Sequence, residues 1–595
     1  SLSSLLGSNE SSSDEASPTE AAPKKASASV FDSFSPEAGD RAFELKSNGR
    51  LEITGFRMRD GPKGMTCRGF GAPCPEHGGS PAFPAQSLRA ASWDVELEEE
   101  FGRAIGGIAE RLQIHAALLP TINLLPWLHW GRSQESYGED PVFSGKMGAG
   151  VVRGVQARGR VMATVKHFLA NNIENTRWWV SAEMDDKILH EVFLKAWAIV
   201  VAESAPELVM TSYNRVQGNY PFAHPKFLDL LRGRLGFQGS VMTDWMATWE
   251  AITGGGILPA KGWSSPFKDQ IGFLKSGSIL GAGVDMEMPF CSKNRDLVAQ
   301  IQACDLNDTE ACAGRVALDK AVGRILRTKM RYGMLGVKPQ PREPREYWQE
   351  MKYTHLALRL AQQGIVLLQN TDGFLPRPPA ETPHIHIVLE EPWLRYLEVN
   401  EGDRGSSSVL AHIDAISVNV GIRSKYRNSM IRTQGIESIA SAKFTSMTVI
   451  EVGYNWTFEG EFIPPDVGGD REYLSLHPFD IERIKAAKAV TDNIVVVIQS
   501  GHNVIVEEWA HLVKAILWMG YAGPMGGHAL ADILAGHVNP SGRLTSTTPK
   551  RAEDWLPASI VQTPFGFADP TIDLQYPYAF GFKHMWQAEI EPRYP

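Results

Sequence analysis

Polar side chains that could act chemically follow three short apolar runs of the sequence, at the point where each run ends. The runs 161–165, 208–211 and 240–243 are followed by polar or charged residues, respectively Lys166 and His167, Ser212, Tyr213 and Asn214, and Asp244 beside Trp245. A single aspartate after a strand is most often the N-cap of the next helix, which is the simplest explanation of Asp244. Three such ends in one domain favour a common site, because active-site residues of α/β barrels gather where strands end.

Glycoside hydrolysis is the reaction that this combination fits best. It needs two carboxyl groups, one of which forms or stabilises a bond at the anomeric carbon, and Asp244 supplies the first. Trp245 adds an aromatic plane for the apolar C–H face of a sugar. Bidentate contacts from charged residues discriminate vicinal hydroxyl groups well, and the candidates for this role are Asp60, Arg132, Lys166 and His167. Surface ion pairing is the alternative explanation for any one of these four.

The elements that would position these residues alternate along the chain. Between about residues 85 and 335, helices are predicted at 97–114, 185–202 and 225–234, and strands at the three apolar runs. A strand followed by a helix at regular intervals is typical of β/α units around a parallel sheet. Over this length a (β/α)8 barrel fits best, and we predict it for residues 41–336.

Two segments of different composition bound this domain. Residues 1–40 are rich in Ser, Glu, Ala, Pro and Lys, and they are predicted to be disordered because they cannot bury enough apolar surface. Residues 337–355 contain a stretch dense in Pro, Arg and Glu and are predicted to be a linker. Residues 356–595 again alternate strands and helices, which predicts a second α/β domain.

Charge and hydropathy exclude two classes of partner. The chain of 595 residues has a net charge of −9, whereas binding to nucleic acid needs a dense basic surface. No apolar run approaches the roughly 20 residues that a membrane helix requires. Oligomeric state is left open by the sequence.

No cofactor is indicated by the motifs. His and Cys residues do not show the spacing of zinc ligands. The glycine-rich string at 148–154 has the wrong spacing for a dinucleotide fingerprint and lies inside a helical pattern. We therefore expect no metal and no cofactor.

The five cysteines leave the cellular compartment open. Cys67 and Cys74 lie close together, as do Cys304 and Cys312, and Cys291 is left over. Two local disulfides in an oxidising compartment and five reduced thiols in the cytosol are both compatible with this spacing. Secretion is slightly favoured over a cytoplasmic location.

Many sequence strings, in order from about residue 55 to 583, resemble glycoside hydrolase family 3. In the first half they are MRDGPKG (58–64), GRSQESYGEDP (131–141), KHFLANN (166–172), MTSYN (210–214), GFQGSVMTDW (236–245) and GVDMEMP (283–289). In the second half they are GIVLLQN (364–370), GSSSV (405–409), NPSGRL (539–544) and YPYAFGF (576–582).

This resemblance implies a (β/α)8 barrel followed by an α/β sandwich, with the active site in the cleft between them. It also implies retention of configuration through a covalent glycosyl-enzyme. By position, Asp244 resembles the nucleophile of the family. The pocket that holds the sugar at the cleavage site would comprise Asp60, Arg132, Lys166, His167 and Tyr213.

The second carboxyl group is expected in the second domain, on a variable loop ahead of the Gly469-Asp470-Arg471 string. Glu459 and Glu461 both precede that string. The spacing from Glu459 to Asp470 resembles the family pattern, so Glu459 is predicted to be the acid/base, with Glu461 as the alternative. Two solvated loop acids without a catalytic role would also explain these residues.

The resulting hypothesis is an exo-acting retaining β-glucosidase that acts on small β-glucosides or oligosaccharides. Burial should raise the pKa of Glu459, while Lys166, His167 and Arg132 should keep Asp244 ionised. Within the family, β-xylosidase and β-N-acetylglucosaminidase are alternatives, although Leu169 and the residues after it differ from the glycine-rich string of the latter. An inactive carbohydrate-binding protein is the alternative of another class.

Overall fold

The structure is a computed structural model of the chain. It describes residues 43–66, 80–178, 180–248, 278–289, 313–337, 351–388, 399–409, 415–434, 440, 442–463, 467–555 and 573–595. The predicted disordered segment, most of the predicted linker and all five cysteines lie outside these residues.

The first domain is built on a parallel sheet whose strands lie side by side in the order β1-β2-β3-β5-β7. The strands in this half of the chain are β1 (Met58–Asp60), β2 (Ala116–Leu118), β3 (Met162–Phe168), β4 (Ser181–Glu183), β5 (Leu208–Thr211), β6 (Arg215–Val216) and β7 (Ser240–Met242). Strands β4 and β6 form a separate small sheet with β16 (Leu574–Gln575), which comes from the end of the chain. The five-stranded sheet agrees with the predicted β/α units.

Helices alternate with these strands. They are α1 (Gln86–Ala90), α2 (Val95–Arg111), α3 (Pro141–Gln156), α4 (Leu194–Ser204), α5 (Pro225–Asp229), α6 (Ser278–Ala282) and α7 (Ala313–Arg331). A short helix at Asp186–Ile188 and a π-helical turn at Leu189–Phe193 precede α4, and another π-helical turn, Leu230–Arg234, follows α5. Asp94 and Asp140 cap α2 and α3 by accepting backbone N–H groups, which fixes where both helices begin.

The glycine-rich string at 148–154 lies inside α3 and serves helix packing. A Cβ atom at Gly154 would lie 2.2 Å from the carbonyl oxygen of Glu99 on α2, and one at Gly102 would lie 2.5 Å from that of Val151. Only glycine permits so close an approach of the two backbones. This explains the string without any phosphate ligand.

The second domain contains a six-stranded sheet in the order β10-β9-β11-β14-β15-β8. Its strands are β8 (Val366–Asn370), β9 (His384–Val388), β10 (Met430–Gln434), β11 (Met447–Gly453), β14 (Ile494–Gln499) and β15 (Ala515–Trp518). All pairings are parallel except that of β8 with β15. Strands β11 and β14 are buried along their whole length, as expected of a parallel sheet covered on both faces.

The helices in this half of the chain are α8 (Met351–Gly364), α9 (Val418–Lys425), α10 (Pro478–Lys488), α11 (Gly526–Leu534) and α12 (Phe582–Gln587). Between β11 and α10, an antiparallel hairpin of β12 (Gly460–Ile463) and β13 (Val467–Gly469) leaves the sheet. It packs on the first domain: a Cβ atom at Gly131 would lie 2.0 Å from the carbonyl oxygen of Gly469. The hairpin thus brings its residues to the strand ends of the first domain. None of the helices in the described part of the chain is long and apolar enough to cross a membrane.

Candidate active site

Asp244 lies at the carboxyl end of the first sheet, two residues beyond β7. Its Oδ1 accepts a hydrogen bond of 2.7 Å from the backbone N–H of Trp245. Its Oδ2 is buried and accepts no hydrogen bond from the described residues. Burial raises the pKa of Asp244 to about 6, against the opposing charges of Arg132, Arg177 and Lys166.

Lys166 and Asp60 join two strand ends beside this carboxyl group. Lys166 Nζ lies 2.6 Å from Asp60 Oδ1, and both side chains are buried. Burial raises the pKa of Asp60 above its ordinary value, although Lys166 opposes the shift. The pair presents a cation and a carboxyl group together, which suits a pattern of sugar hydroxyl groups.

His167 faces Asp244 from β3, with its Nε2 3.5 Å from Asp244 Oδ2. Burial, together with Arg132, Lys166 and Arg177, holds the pKa of His167 well below its ordinary value, so the imidazole is neutral. The backbone N–H of His167 donates to Asn123 Oδ1, and Asn123 Nδ2 donates to the carbonyl oxygen of His167. These two bonds fix the orientation of the Asn123 side-chain amide. Nδ1 lies 3.2 Å from the same Oδ1, which can only accept, so the ring proton belongs on Nδ1.

Arg132 is held rigidly by its neighbour Glu135. Its Nε and Nη2 lie 2.9 Å from the two carboxylate oxygens of Glu135, in a bidentate pair. The remaining nitrogen, Nη1, lies 3.7 Å from Glu461 Oε1 in the hairpin of the second domain. Arg132 therefore connects the first domain to the predicted alternative acid.

Glu461 is an acid of the second domain that reaches this group of charges. Its Oε1 lies 2.9 Å from Arg177 Nη1, and its Oε2 accepts a hydrogen bond of 2.6 Å from the backbone N–H of Ser406. Its own N–H donates to Asp403 Oδ1 at 2.8 Å. The charge of Glu461 contributes to raising the pKa of Asp244, so the two carboxyl groups interact electrostatically.

Glu459 is held in a different environment. Its side chain is fully buried, and its Oε2 is paired with Arg471 Nε. Its Oε1 accepts hydrogen bonds from the backbone N–H of Gly501 and from the hydroxyl group of Tyr521. Both oxygens are therefore bound within the second domain, whereas Glu461, and not Glu459, is among the main influences on the pKa of Asp244.

The pKa values of Glu461 and Asp244 are shifted in opposite directions. Burial alone would raise the pKa of Glu461, but Arg132, Arg177 and the N–H of Ser406 outweigh it and hold that pKa well below its ordinary value. Asp244 is instead raised, and the neutral His167 supplies no charge that would keep it ionised. The sequence indicates neither that His167 is neutral nor how strongly Asp244 is buried, and both oppose the expected ionisation of Asp244.

Tyr213 and Trp245 complete the predicted set. The hydroxyl group of Tyr213 donates to the carbonyl oxygen of Trp245 at 2.9 Å, and burial, with the charge of Asp244, raises the pKa of Tyr213 well above its ordinary value. The indole ring of Trp245 is 5% exposed and stacks on Phe43, with ring centroids 4.9 Å apart. Its main chain contacts both Asp244 and Tyr213.

Two family models match the chain. The model of the glycosyl hydrolase family 3 N terminal domain matches residues 75–328, and that of the C-terminal domain matches residues 365–584. The chain belongs to glycosyl hydrolase family 3. It is therefore a glycoside hydrolase, and its two matched segments contain all strands of the two sheets except β1.

Other members of the family match over most of the chain. The thermostable beta-glucosidase B of Acetivibrio thermocellus is 28% identical over 92% of this chain and 68% of its own length. An exo-alpha-(1->6)-L-arabinopyranosidase of Bifidobacterium breve is 26% identical over 87% of this chain and 65% of its own length. The crystal structure of a beta-glucosidase of this family from Bifidobacterium adolescentis superposes with a TM-score of 0.75 at 24% identity, over 95% of this chain and 77% of that one, which supports the fold.

Three site residues of this glycoside hydrolase were missed by sequence reasoning, namely Glu135, Arg177 and Asp403. Glu135 lies three residues after Arg132, a spacing that suits an ion pair on one turn. Arg177 also follows an acid, Glu174, by three residues, and this spacing is the only signal that could have marked it. Asp403 is brought to the site by the chain fold alone. Among the described residues, no group of His, Cys, Asp or Glu side chains could hold a metal ion.

Proposed function

We propose that this glycoside hydrolase is a retaining, exo-acting β-glucosidase in which Asp244 is the nucleophile and Glu461 is the acid/base. The observation that carries the proposal is the buried Oδ2 of Asp244, which lacks a hydrogen-bond partner among the described residues and faces a group of cations. We further propose that the five-stranded sheet is part of a (β/α)8 barrel, with the active site in the cleft between it and the second domain.

Glu461 is preferred to Glu459 because of its partners. An acid/base must exchange a proton with a leaving group, so its oxygens must be reachable from the sugar site. The charges of Arg132 and Arg177 lower the pKa of both Glu461 and Asp244. Both glutamates have bound oxygens, but the partners of Glu459 all belong to the second domain, whereas Oε1 of Glu461 contacts Arg177 of the first domain.

The reaction proceeds in two displacements. Asp244 attacks the anomeric carbon and forms the glycosyl-enzyme bond, while the proton of Glu461 passes to the departing glycosidic oxygen. A water molecule then gives its proton to Glu461 and adds to the anomeric carbon, which releases Asp244. Net retention needs carboxyl groups about 5 to 5.5 Å apart, and each reacts from its own domain.

The charges of the two carboxyl groups define what a bound substrate must change. Glu461 is ionised beside Arg132 and Arg177, whereas proton donation requires its acid form. Asp244 is close to half-protonated near pH 6. We propose that a bound sugar, by hydrogen bonding to the arginines and excluding water, weakens their hold on Glu461 and raises its pKa.

Glucosides are the proposed substrates because the relative from Acetivibrio thermocellus, 28% identical to this chain, carries the name beta-glucosidase. A second candidate is an α-L-arabinopyranoside, since a relative of similar identity carries that activity in its name. β-Xylosides stay a third candidate. A panel of 4-nitrophenyl glycosides separates them, and we expect kcat/KM to be highest for the β-glucoside by at least about tenfold. A higher value for any other sugar would contradict the assignment.

The acid/base is tested with a matched pair of variants, Glu461→Gln and Glu459→Gln. A phenyl β-glucoside needs protonation of its leaving group, whereas a 2,4-dinitrophenyl β-glucoside does not. For Glu461→Gln we expect kcat/KM to fall by about 1,000-fold on the first substrate and only a few-fold on the second. For Glu459→Gln we expect a lower unfolding temperature, since Arg471 loses its buried counter-charge, and equal effects on both substrates. The reverse pattern would restore Glu459 as the acid.

Activity itself separates an enzyme from a carbohydrate-binding protein without catalysis. Wild type should hydrolyse the dinitrophenyl glucoside, and Asp244→Asn should not. Equal inertness of the two proteins would favour the binding protein.

A further inference from the structure

Asp470 joins the hairpin of the second domain to two loops of the first. Its Oδ1 accepts hydrogen bonds of 3.0 Å from the backbone N–H groups of Gly131 and Glu174. Its Oδ2 accepts from the N–H groups of Asn175 at 2.9 Å and Glu174 at 3.1 Å. Its own N–H donates to Asn175 Oδ1 at 3.0 Å, so the residue is bound on both its backbone and its side chain.

Each of these partners lies within three residues of an arginine of the candidate active site. Gly131 immediately precedes Arg132, and Asn175 lies two residues before Arg177. On the other side, Asp470 follows β13, which pairs with β12 through Gly460 and Gly469, next to Glu461. One carboxylate therefore connects the backbone segments that carry both arginines and the proposed acid.

We infer that Asp470 is a positioning residue, which sets the place of Glu461 relative to Arg132 and Arg177 and so controls proton donation to the leaving group. The inference rests on the proposed role of Glu461. It goes further by assigning a function to a residue that touches neither the sugar site nor Asp244.

The chemistry of the carboxylate explains why another side chain cannot replace it. The three backbone groups that face Asp470 are all donors, and a carboxylate offers only acceptors. An asparagine of the same size would turn an NH2 group towards these donors and leave at least one of them buried without a partner. The loops that carry the arginines would then relax away from the hairpin.

The pocket around the nucleophile depends on other elements. Asp60, Lys166 and Asp244 are positioned by the ends of β1, β3 and β7. Relaxation of the hairpin should therefore disturb proton donation more than nucleophilic attack. This difference provides a readout that a merely structural role for Asp470 would not change.

The experiment compares Asp470→Asn with wild type on the phenyl and 2,4-dinitrophenyl β-glucosides. Since kcat/KM reports the first displacement, we expect it to fall by about 100-fold on the phenyl substrate and by less than about fivefold on the dinitrophenyl substrate. Equal losses on the two substrates, or no loss on either, would overturn the inference. The variant must also be labelled on Asp244 by a 2,4-dinitrophenyl 2-fluoro-β-glucoside at close to the wild-type rate, which shows that the pocket is folded.

Asp480→Asn is the matched control. Asp480 is another buried carboxylate of the second domain, which accepts the N–H of Gly453 and pairs with Arg483 at 2.6 Å. Its removal should lower the unfolding temperature and leave the ratio of the two kcat/KM values unchanged. A changed ratio would mean that any loss of stability produces this signature and would overturn the inference.

Two further variants keep the test decisive. If Asp470→Asn does not fold, Asp470→Glu retains the charge and two acceptors on a longer side chain, and we expect the same selective loss on the phenyl substrate. Should Glu461→Gln itself show no dependence on the leaving group, the proposed acid is wrong and the inference falls with it. Should Glu461→Gln show that dependence while neither Asp470 variant does, the inference alone fails.

Discussion

Arg177 Nη1 lies 2.9 Å from Glu461 Oε1 and 2.8 Å from Glu174 Oε2, so one nitrogen atom is shared by carboxyl groups of both domains. Burial raises the pKa of Glu174 to about 8, whereas Glu461 is held ionised. The guanidinium group of Arg177 thus stabilises the ionised form of Glu461, on the hairpin, more than that of Glu174, on its own loop. This sharing links the acidity of Glu461 to the docking of the two domains.

Removal of Arg177 should move the pH profile upwards. The charge of Arg177 lowers the pKa of both Glu461 and Asp244, so its loss raises both values. Proton donation then persists to higher pH, and ionisation of the nucleophile also begins at higher pH. For Arg177→Met we expect both limbs of kcat/KM on a phenyl β-glucoside to shift to higher pH by about one unit. Arg103→Met, which removes an exposed arginine, is the control, and an unchanged or lowered profile for Arg177→Met would contradict the shared role.

Asp244 should set the acid limb of activity. Attack requires its ionised form, and burial raises its pKa to about 6, so activity is present above that pH and is lost below it. On the dinitrophenyl substrate, which needs no acid, kcat/KM should fall about tenfold from pH 7 to pH 5.

Glu461→Gln provides the internal control for this limb. The charge of Glu461 contributes to raising the pKa of Asp244, so its removal should move the limb to lower pH. An acid limb near the ordinary aspartate value in wild type, or an upward shift in the variant, would contradict the assignment.

The strand ends of the first sheet could be predicted from the sequence. Their polar residues gather at one site because the carboxyl ends of neighbouring parallel strands lie side by side. The runs before Lys166, Tyr213 and Asp244 correspond to β3, β5 and β7, whose bounds differ from the prediction by a few residues at most. The family strings, confirmed by the family models, supplied the order of the two domains.

The acid on the hairpin could not be chosen in the same way. Glu459 and Glu461 are two residues apart, and a strand directs alternate side chains to the same face, so periodicity does not separate them. What separates them are partners distant in sequence, Arg471 and Tyr521 for Glu459 and Arg177 for Glu461. The contact of Glu461 with Arg177 follows from the docking of the hairpin on the first domain, and those of Glu459 follow from the fold of the second domain, and no local pattern records either.

Glu139 lies at a contact between the two halves of the chain. Its titration should make the stability of the enzyme depend on pH. Its carboxyl group accepts the hydroxyl group of Thr547 at 2.9 Å and the N–H of Phe582 at 3.1 Å, and burial raises its pKa to about 7. Because this pKa is higher in the folded chain, the stabilisation is complete below the ordinary glutamate value and is lost as pH rises through about 7.

The variant Glu139→Gln cannot titrate and tests this dependence. As pH rises from 5 to 8, the unfolding temperature of wild type should fall relative to that of the variant by about 2 °C. Glu110→Gln, at an exposed glutamate paired with Arg158, should show a constant difference from wild type. A constant difference for Glu139→Gln as well would show that Glu139 does not titrate in this range.

Trapping of the covalent intermediate tests the central claim most directly. The enzyme is incubated with 2,4-dinitrophenyl 2-deoxy-2-fluoro-β-glucoside, digested with pepsin and analysed by tandem mass spectrometry. The account predicts one fluoroglucosyl group, attached to Asp244, and its release when an acceptor sugar is added. A label on any other residue, or hydrolysis of the glucoside by Asp244→Asn at the wild-type rate, would contradict it.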